Sequence, residues 1–134
     1  MGDLITLTQM KLPVKVVIFN NGVLGFVAIE MKAAGFVDAN VDLKNPDFAA
    51  MAQAMGIYGR RVEDPGDLPG AVEEMLHHNG PALLDVVIAK QELSMPPTIT
   101  PEEVKGFSLW LLRAVMNGRG DEVLDLAKTN LLPR

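Results

Sequence analysis

The sequence of 134 residues contains no cysteine, and aromatic residues make up only 5% of it. Without cysteine, the chain can form neither disulfides nor thiolate metal sites, and a reducing cytosol suits it. No apolar run is long enough to span a membrane, and the N-terminus lacks the cationic region and apolar core of a signal peptide. We therefore expect a cytoplasmic protein.

Positive charge is also scarce, since 12 Lys and Arg residues oppose 17 Asp and Glu residues, for a net charge of −5. This balance argues against nucleic-acid binding and against purely electrostatic membrane binding. Hydrophobic residues, by contrast, make up 49% of the chain, which predicts a folded globule with its own core. Eight methionines indicate adaptable core filling or an oligomer surface.

Strand and helix patterns alternate over the first two thirds of the chain. Short apolar runs predict strands at 14–19, 57–62 and 83–89. Apolar residues at a helical period predict helices at 3–10, 24–34, 45–55 (with Pro46 near the first position) and 68–78. Such alternation predicts an α/β fold with a mostly parallel sheet flanked by helices, followed by a helical tail.

The pattern changes after Lys90. The proline-rich stretch 94–101 predicts an extended arm. Thr100-Pro101-Glu102-Glu103 predicts the start of a helix that runs to Met116. Asp121 is expected to cap a last helix with an apolar stripe at 123, 124, 127 and 131. We therefore divide the chain into a ligand-binding domain at 1–93 and an arm with C-terminal helices at 94–134.

The first predicted strand, Val14–Phe19, ends in the sequence Asn20-Asn21-Gly22-Val23-Leu24-Gly25. Loops at the carboxyl ends of parallel strands are where open α/β sheets bind ligands. Asparagine side-chain oxygens suit a Mg²⁺ ion that keeps phosphate oxygens as partners. Gly22 and Gly25 allow the backbone to approach a ligand closely. From the Asn-Asn-Gly sequence alone, however, an ordinary turn is the stronger interpretation.

The flanking residues shift that interpretation. Phe19–Phe26, preceded by Gln9–Lys15, resembles the second half of the thiamine diphosphate motif of the pyruvate oxidase and acetolactate synthase superfamily. That motif opens with Gly-Asp-Gly and closes with a double Asn after an apolar strand. The opening half is missing, because Gly2-Asp3-Leu4 lies too close to Asn21 to replace it.

The similarity to one branch of this superfamily, the ubiquinone-dependent pyruvate dehydrogenases of bacteria (also called pyruvate oxidases), covers essentially the whole chain. It is carried by Leu24–Lys32, Lys105–Leu109, Gly118–Val123 and Leu126–Leu132. Acetolactate synthases usually show a Gly-Met and a Gln-Trp pair after the double Asn. Here Phe26 follows Gly25, and no Trp precedes Trp110.

The resemblance implies the C-terminal part of a longer enzyme that uses thiamine diphosphate, Mg²⁺ and FAD. That enzyme would convert pyruvate to acetate and CO₂ and pass electrons to ubiquinone, as a homotetramer at the inner face of the cell membrane. FAD would lie mainly on a domain absent from this chain. Because the rest of the enzyme and its partner subunits would complete the site, we expect the isolated chain to be inactive.

The resemblance also implies roles for individual residues. The side-chain oxygen of Asn21 and the carbonyl of Val23 would be Mg²⁺ ligands. The cofactor-binding set would be Asn20, Asn21, Gly22, Val23, Leu24 and Gly25, with Asn20 better suited to ordering the loop. No Ser–His–Asp set can be assembled, and the adjacent His77 and His78 are better interpreted as partners of a helix C-terminus.

Phe26 and Glu30 lie four residues apart and so share one helical face. The resemblance implies that Phe26 lies near the reacting thiazolium and flavin, and that Glu30 lies by the active-site entrance. Helical spacing alone favours a core role for Phe26 and a solvated role for Glu30.

Two alternatives remain open for the function. The first is acetolactate synthesis or another 2-keto acid decarboxylation. The second is a non-catalytic domain that assembles through its Met-rich faces or binds lipid. The apolar stripe of the last helix fits reversible lipid contact, although docking onto its own domain is slightly favoured by sequence.

Overall fold

The computed structural model describes residues 2–92 and 99–131. Within those ranges the chain forms three strands, β1 (Lys15–Asn20), β2 (Tyr58–Val62) and β3 (Ala82–Val87). It also forms six α-helices, α1 (Leu4–Gln9), α2 (Gly25–Ala33), α3 (Phe48–Ala54), α4 (Leu68–His77), α5 (Pro101–Met116) and α6 (Gly120–Leu131). A short 3₁₀ turn, Pro65–Asp67, precedes α4.

The strands form one parallel sheet in the order β1-β3-β2. Asp85 on the central strand lies in register with Ile18 on β1 and Arg61 on β2. Because β3 has neighbours on both sides, Ala82–Val86 are all buried. The predicted α/β fold with a parallel sheet and flanking helices is confirmed.

The chain divides into two compact units, each built from two stretches. Unit 1 contains residues up to Asn21 together with Lys44–Ile88, and so includes the whole sheet. One side of its sheet packs Leu84 and Val86 with Ala71 and Met75 of α4, and the other packs Leu83 with Ala52 of α3.

Unit 2 contains Gly22–Leu43 and the residues from Ala89 onward. Trp110 and Ala114 of α5 pack with Leu126 of α6, and all three are buried. In the described part of the chain, no helix is both long enough and apolar enough to cross a membrane.

The structure refines two predicted helix starts. Pro46 lies near the start of α3, as predicted, but directly before the N-cap Asp47, whose carboxylate accepts a 2.8 Å hydrogen bond from the amide of Ala50. Asp121 does not cap α6, because the helix already begins at Gly120 and Asp121 lies in its first turn. The start of α5 is confirmed, since Thr100 and Glu103 form a reciprocal capping box.

The predicted apolar stripe on α6 is exposed at half of its positions. Leu124 and Leu131 are 62% and 79% exposed, whereas Leu126 is buried and Val123 packs beside it. The buried face is therefore set by the contact with Trp110. Most of the predicted arm at 94–101 and the predicted boundary between residues 93 and 94 fall within residues 93–98, outside the described residues, so both stay predictions.

Candidate functional site

Asn20 ends β1 in unit 1 and is buried, with both polar atoms of its side chain bonded within the chain. Its Nδ2 donates to Oδ1 of Asp85 at 3.0 Å, and its Oδ1 accepts from Nδ2 of Asn45 at 2.9 Å. Its backbone carbonyl accepts from the amide of Ile88 at 3.1 Å. These bonds fix the end of the strand from which Asn21 follows.

Asp85 is the carboxylate to which the Asn20 side chain donates, and its exposure is 0%. Its Oδ2 accepts from Nη1 of Arg61 at 2.7 Å and from the amide of Phe48 at 3.3 Å. The Arg61 guanidinium also donates to Glu63, and this bond, followed by the Asp85 bond, raises the pKa of Arg61 above its ordinary value. The sequence prediction missed Asp85, although a single carboxylate inside the apolar run Ala82–Val87 was a visible signal.

Asn21 follows β1 directly and is partly buried. It lies at the carboxyl end of a parallel strand, as the sequence predicts for a ligand-binding residue. Its proposed role as a metal ligand stays a prediction.

Gly22–Gly25 open unit 2. Gly22 has a φ of +64°, in the left-handed region that favours glycine. Val23 is buried and forms an antiparallel bridge with Asp42. The bridge is closed by two backbone bonds, from Leu43 to the carbonyl of Gly22 and from Leu24 to the carbonyl of Val41. Gly25 is the first residue of α2, whose first-turn amides suit an anion.

Phe26 and Glu30 both lie exposed on α2. Phe26 is 75% exposed, so the alternative that it is an ordinary core residue is wrong. The exposed position of Glu30 agrees with a solvated helix residue and equally with a residue at an active-site entrance. The catalytic roles of the two residues stay predictions.

The two histidines do not form a catalytic pair. His77 ends α4, with Nδ1 at 2.9 Å from the carbonyl of Glu73. The ring of His78 lies 5.0 Å from that of Tyr58, centroid to centroid.

The predicted Mg²⁺ ligands, Asn21 and Val23, would bind the ion through an amide oxygen and a peptide oxygen rather than through carboxylates. Among residues 2–92 and 99–131, no group of three or more His, Cys, Asp or Glu side chains could hold a metal ion. Oxygens of these two types suit Mg²⁺ when phosphate oxygens complete its octahedron. The residue chemistry is therefore that of a magnesium diphosphate site, and the two ligand roles stay predictions.

Comparison with known proteins points to the same chemistry. The family model described as "Thiamine pyrophosphate enzyme, C-terminal TPP binding domain" matches residues 1–86. YdaP of Bacillus subtilis (strain 168), provisionally described as a thiamine pyrophosphate-containing protein, is 36% identical over 129 residues, which are 96% of this chain and 22% of that protein.

Acetolactate synthases are also similar, over a shorter stretch. The mitochondrial catalytic subunit of Aspergillus candidus is 35% identical over 96 residues, and the mitochondrial enzyme of Schizosaccharomyces pombe is 36% identical over 97. Each alignment covers 70% of this chain and 14% of the relative. The chain thus spans less than a quarter of the length of these curated relatives.

Proposed function

This chain belongs to the thiamine pyrophosphate enzymes through their C-terminal TPP-binding domain, and on this premise we propose that it is the C-terminal part of a pyruvate dehydrogenase that reduces quinone. The substrate would be pyruvate, and the products acetate and CO₂. Bound thiamine diphosphate (another name for thiamine pyrophosphate) supplies the electron sink that decarboxylation of a 2-keto acid requires. FAD, held mainly by a domain outside this chain, would pass the electrons to ubiquinone.

The observation that carries the proposal is the Asn20-Asn21-Gly22 sequence at the carboxyl end of a parallel strand, within the family match. We assign the Asn21 side-chain oxygen and the Val23 carbonyl as Mg²⁺ ligands. The backbone of Gly22–Gly25 would contact the diphosphate, supported by the left-handed Gly22 and by the helix that starts at Gly25.

Phe26 and Glu30 would face the reacting end of the substrate. An aromatic ring left 75% exposed on α2 supports a contact outside this chain's own core. We assign Phe26 to the side of the thiazolium and flavin, and Glu30 to the entrance through which pyruvate passes.

Acetolactate synthesis is the second candidate, favoured by the similarity to two fungal acetolactate synthases. Phe26, however, stands where acetolactate synthases usually begin their Gly-Met pair. We therefore place the quinone-linked reaction first.

The remaining contacts of the chain are also proposals. Val17 and Phe19 of β1 are 41% and 71% exposed, and we expect the rest of the enzyme and partner subunits, in a homotetramer, to cover them. Leu124 and Leu131 of α6 are exposed apolar residues that would meet lipid reversibly at the inner face of the membrane. Co-sedimentation with vesicles should require the residues after Gly120; equal sedimentation without them contradicts the lipid contact.

Calorimetric titration of the chain with thiamine diphosphate tests the cofactor assignment. We expect binding with Mg²⁺ and none with a chelator, because the diphosphate reaches Asn21 through the metal. Asn21→Ala should abolish the Mg²⁺-dependent signal, whereas the matched variant Asn79→Ala, in the exposed turn after α4, should retain it. Binding that ignores the chelator or survives Asn21→Ala contradicts the assignment.

The reaction itself needs a completed enzyme. The chain can replace the matched 129-residue region of YdaP in a chimera, to be assayed with pyruvate, FAD and a quinone. Acetate formation coupled to quinone reduction supports the proposal, and acetolactate formation supports the second candidate. The chain alone should form no acetate, and measurable formation by it contradicts its proposed dependence on the other domains.

A further inference from the structure

A carboxylate buried in the middle of a sheet is an expensive feature. Asp85 is fully buried on the central strand, between Ile18 and Arg61 in register. An apolar residue at this position would avoid the loss of hydration that a buried charge suffers. The sheet therefore keeps Asp85 despite its cost, and its contacts indicate what it contributes.

The carboxylate ties together three separate parts of unit 1. It accepts from Asn20 at the end of β1, from the first amide of α3 at Phe48 and from Arg61 on β2. Asn20 in turn accepts from Asn45 on the segment that leads into α3. One buried oxygen pair thus fixes both the strand end and the segment beside it.

These bonds give the two asparagines different tasks. The amide of Asn20 donates to Asp85 and accepts from Asn45, so its side chain is already used inside the protein. The next residue, Asn21, is the proposed Mg²⁺ ligand. We propose that Asp85 is a positioning residue which, through Asn20 and Asn45, sets the direction in which Asn21 is presented to the magnesium diphosphate; this rests on the proposed function.

The simpler alternative is that Asp85 only forms an ion pair with Arg61. Two observations argue against it. Arg61 has a second carboxylate partner in Glu63, and its side chain is 33% exposed, so it does not depend on Asp85 for hydration or charge balance. Asn20, by contrast, is 8% exposed and donates to Asp85 from inside the sheet. Groups that orient metal ligands act in this indirect way.

Three variants separate the two interpretations. Asp85→Asn replaces one oxygen by an NH₂ group, which cannot accept from every present donor at once. Asn20→Asp combined with Asp85→Asn exchanges the two groups, so that the new amide can donate to the new carboxylate while its oxygen accepts from Arg61 and Phe48. Arg61→Leu removes the cation and leaves the Asn20–Asp85 bond in place.

The first measurement is the affinity for thiamine diphosphate in the presence of Mg²⁺. Asp85→Asn should weaken it by about 10- to 100-fold, the range seen when groups that orient metal ligands are changed. The exchanged double variant should recover most of the loss, and Arg61→Leu should bind as the natural chain does. The proposal is overturned if the affinity of Asp85→Asn is unchanged or if the double variant recovers none of the loss. It is also overturned if Arg61→Leu loses as much affinity as Asp85→Asn.

The second measurement needs no cofactor and keeps the inference separate from the proposed function. In ¹⁵N-labelled chain, the side-chain amide of the buried Asn20 should exchange slowly with solvent, and Asp85→Asn should make it exchange faster. If the natural chain binds no cofactor while this amide responds, the proposed function fails and the positioning network stands. If the amide does not respond, the positioning role fails whatever the affinity.

Discussion

Unit 1 buries the carboxylate of Asp85 and unit 2 buries the ammonium of Lys32, and these two charges are held in opposite ways. Asp85 of unit 1 is fully buried and accepts from one guanidinium, one side-chain amide and one backbone amide. Lys32 of unit 2 is 3% exposed, but its ammonium donates to the neutral oxygen of Gln91 at 2.7 Å and lies 5.0 Å from the Trp110 ring centroid.

The difference lies in what opposes the loss of hydration. Burial lowers the pKa of Lys32 below its ordinary 10.5, more than the carboxylates of Asp38 and Glu122 raise it. The charged form of Lys32 is therefore less favoured in the folded chain than in the unfolded chain. A buried carboxylate such as Asp85, with a counter-charge and several hydrogen-bond donors, can fix the geometry of a site. A buried ammonium such as Lys32, bonded to a neutral amide and placed over a ring, mainly fixes packing.

The largest expected effect comes from breaking the packing around each charge. A Cβ at Gly106 on α5 would lie 1.8 Å from the carbonyl oxygen of Ala33, and one at Gly59 on β2 would lie 2.3 Å from that of Ala49. Because backbone must move in both cases, each Gly→Ala change should reduce the free energy of unfolding by about 3 kcal/mol or more, and Gly106→Ala should cost more.

The control for both is Gly70→Ala in α4, where nothing lies within 4 Å of the added methyl. It should raise the free energy of unfolding by about 0.4–1 kcal/mol, because alanine loses less backbone entropy on folding. Urea titrations measure all three changes. Equal stabilities would show that the close approaches do not constrain the two units.

Removing the two charges sharpens the comparison. Asp85→Leu should leave the buried donors of Asn20 and Phe48 without their acceptor, at about 1–3 kcal/mol for each such group. Lys32→Met should be much milder, because methionine fills similar space and removes a charge that burial disfavours. Urea midpoints show which variant is less stable. A larger loss of stability in Lys32→Met than in Asp85→Leu would contradict the account of the two charges.

The pH dependence gives a smaller effect with a fixed sign. Because the folded pKa of Lys32 is lowered, the unfolded chain binds more protons between that lowered pKa and 10.5. The contribution of Lys32 to the free energy of unfolding should therefore rise with pH through this window. Lys32→Met should remove that rise, and Lys128→Met on exposed α6 should keep it. Unfolding at a series of alkaline pH values tests this, and a rise that survives in Lys32→Met contradicts it.

The smallest effect lies at the start of α5, the helix that carries Trp110. Thr100→Ala should cost about 1 kcal/mol, because the N-cap oxygen that accepts from Glu103 is lost. Bonds from the amide and then the hydroxyl of Thr100 lower the pKa of Glu103 below 4.5. The contribution of these bonds to the free energy of unfolding is complete above pH 4.5 and is lost as pH falls through the lowered pKa of Glu103. Unfolding at neutral and acid pH should therefore show a smaller Thr100→Ala effect in acid, and an unchanged one would contradict the capping account.

Local pattern predicted the sheet and the Asn20–Gly25 loop, because a strand's apolar run and a turn's amides and glycines are short-range signals. It did not predict the roles of Asp85 and Lys32. Their partners Asn20 and Gln91 lie 65 and 59 residues away, so nothing local identifies them. Sequence also left the docking of α6 open for the same reason, since the packing of Leu126 with Trp110 decides which face is buried.

The central claim is that the amide oxygen of Asn21 binds the metal of a metal–diphosphate. Mn²⁺ prefers similar ligands to Mg²⁺ and broadens nearby resonances, so it can replace Mg²⁺ in a titration of ¹⁵N-asparagine-labelled chain with thiamine diphosphate. We predict that the side-chain amide of Asn21 broadens first and that Asn79 and Asn117 stay sharp. An unaffected Asn21 signal at saturating cofactor would contradict the assignment of the site.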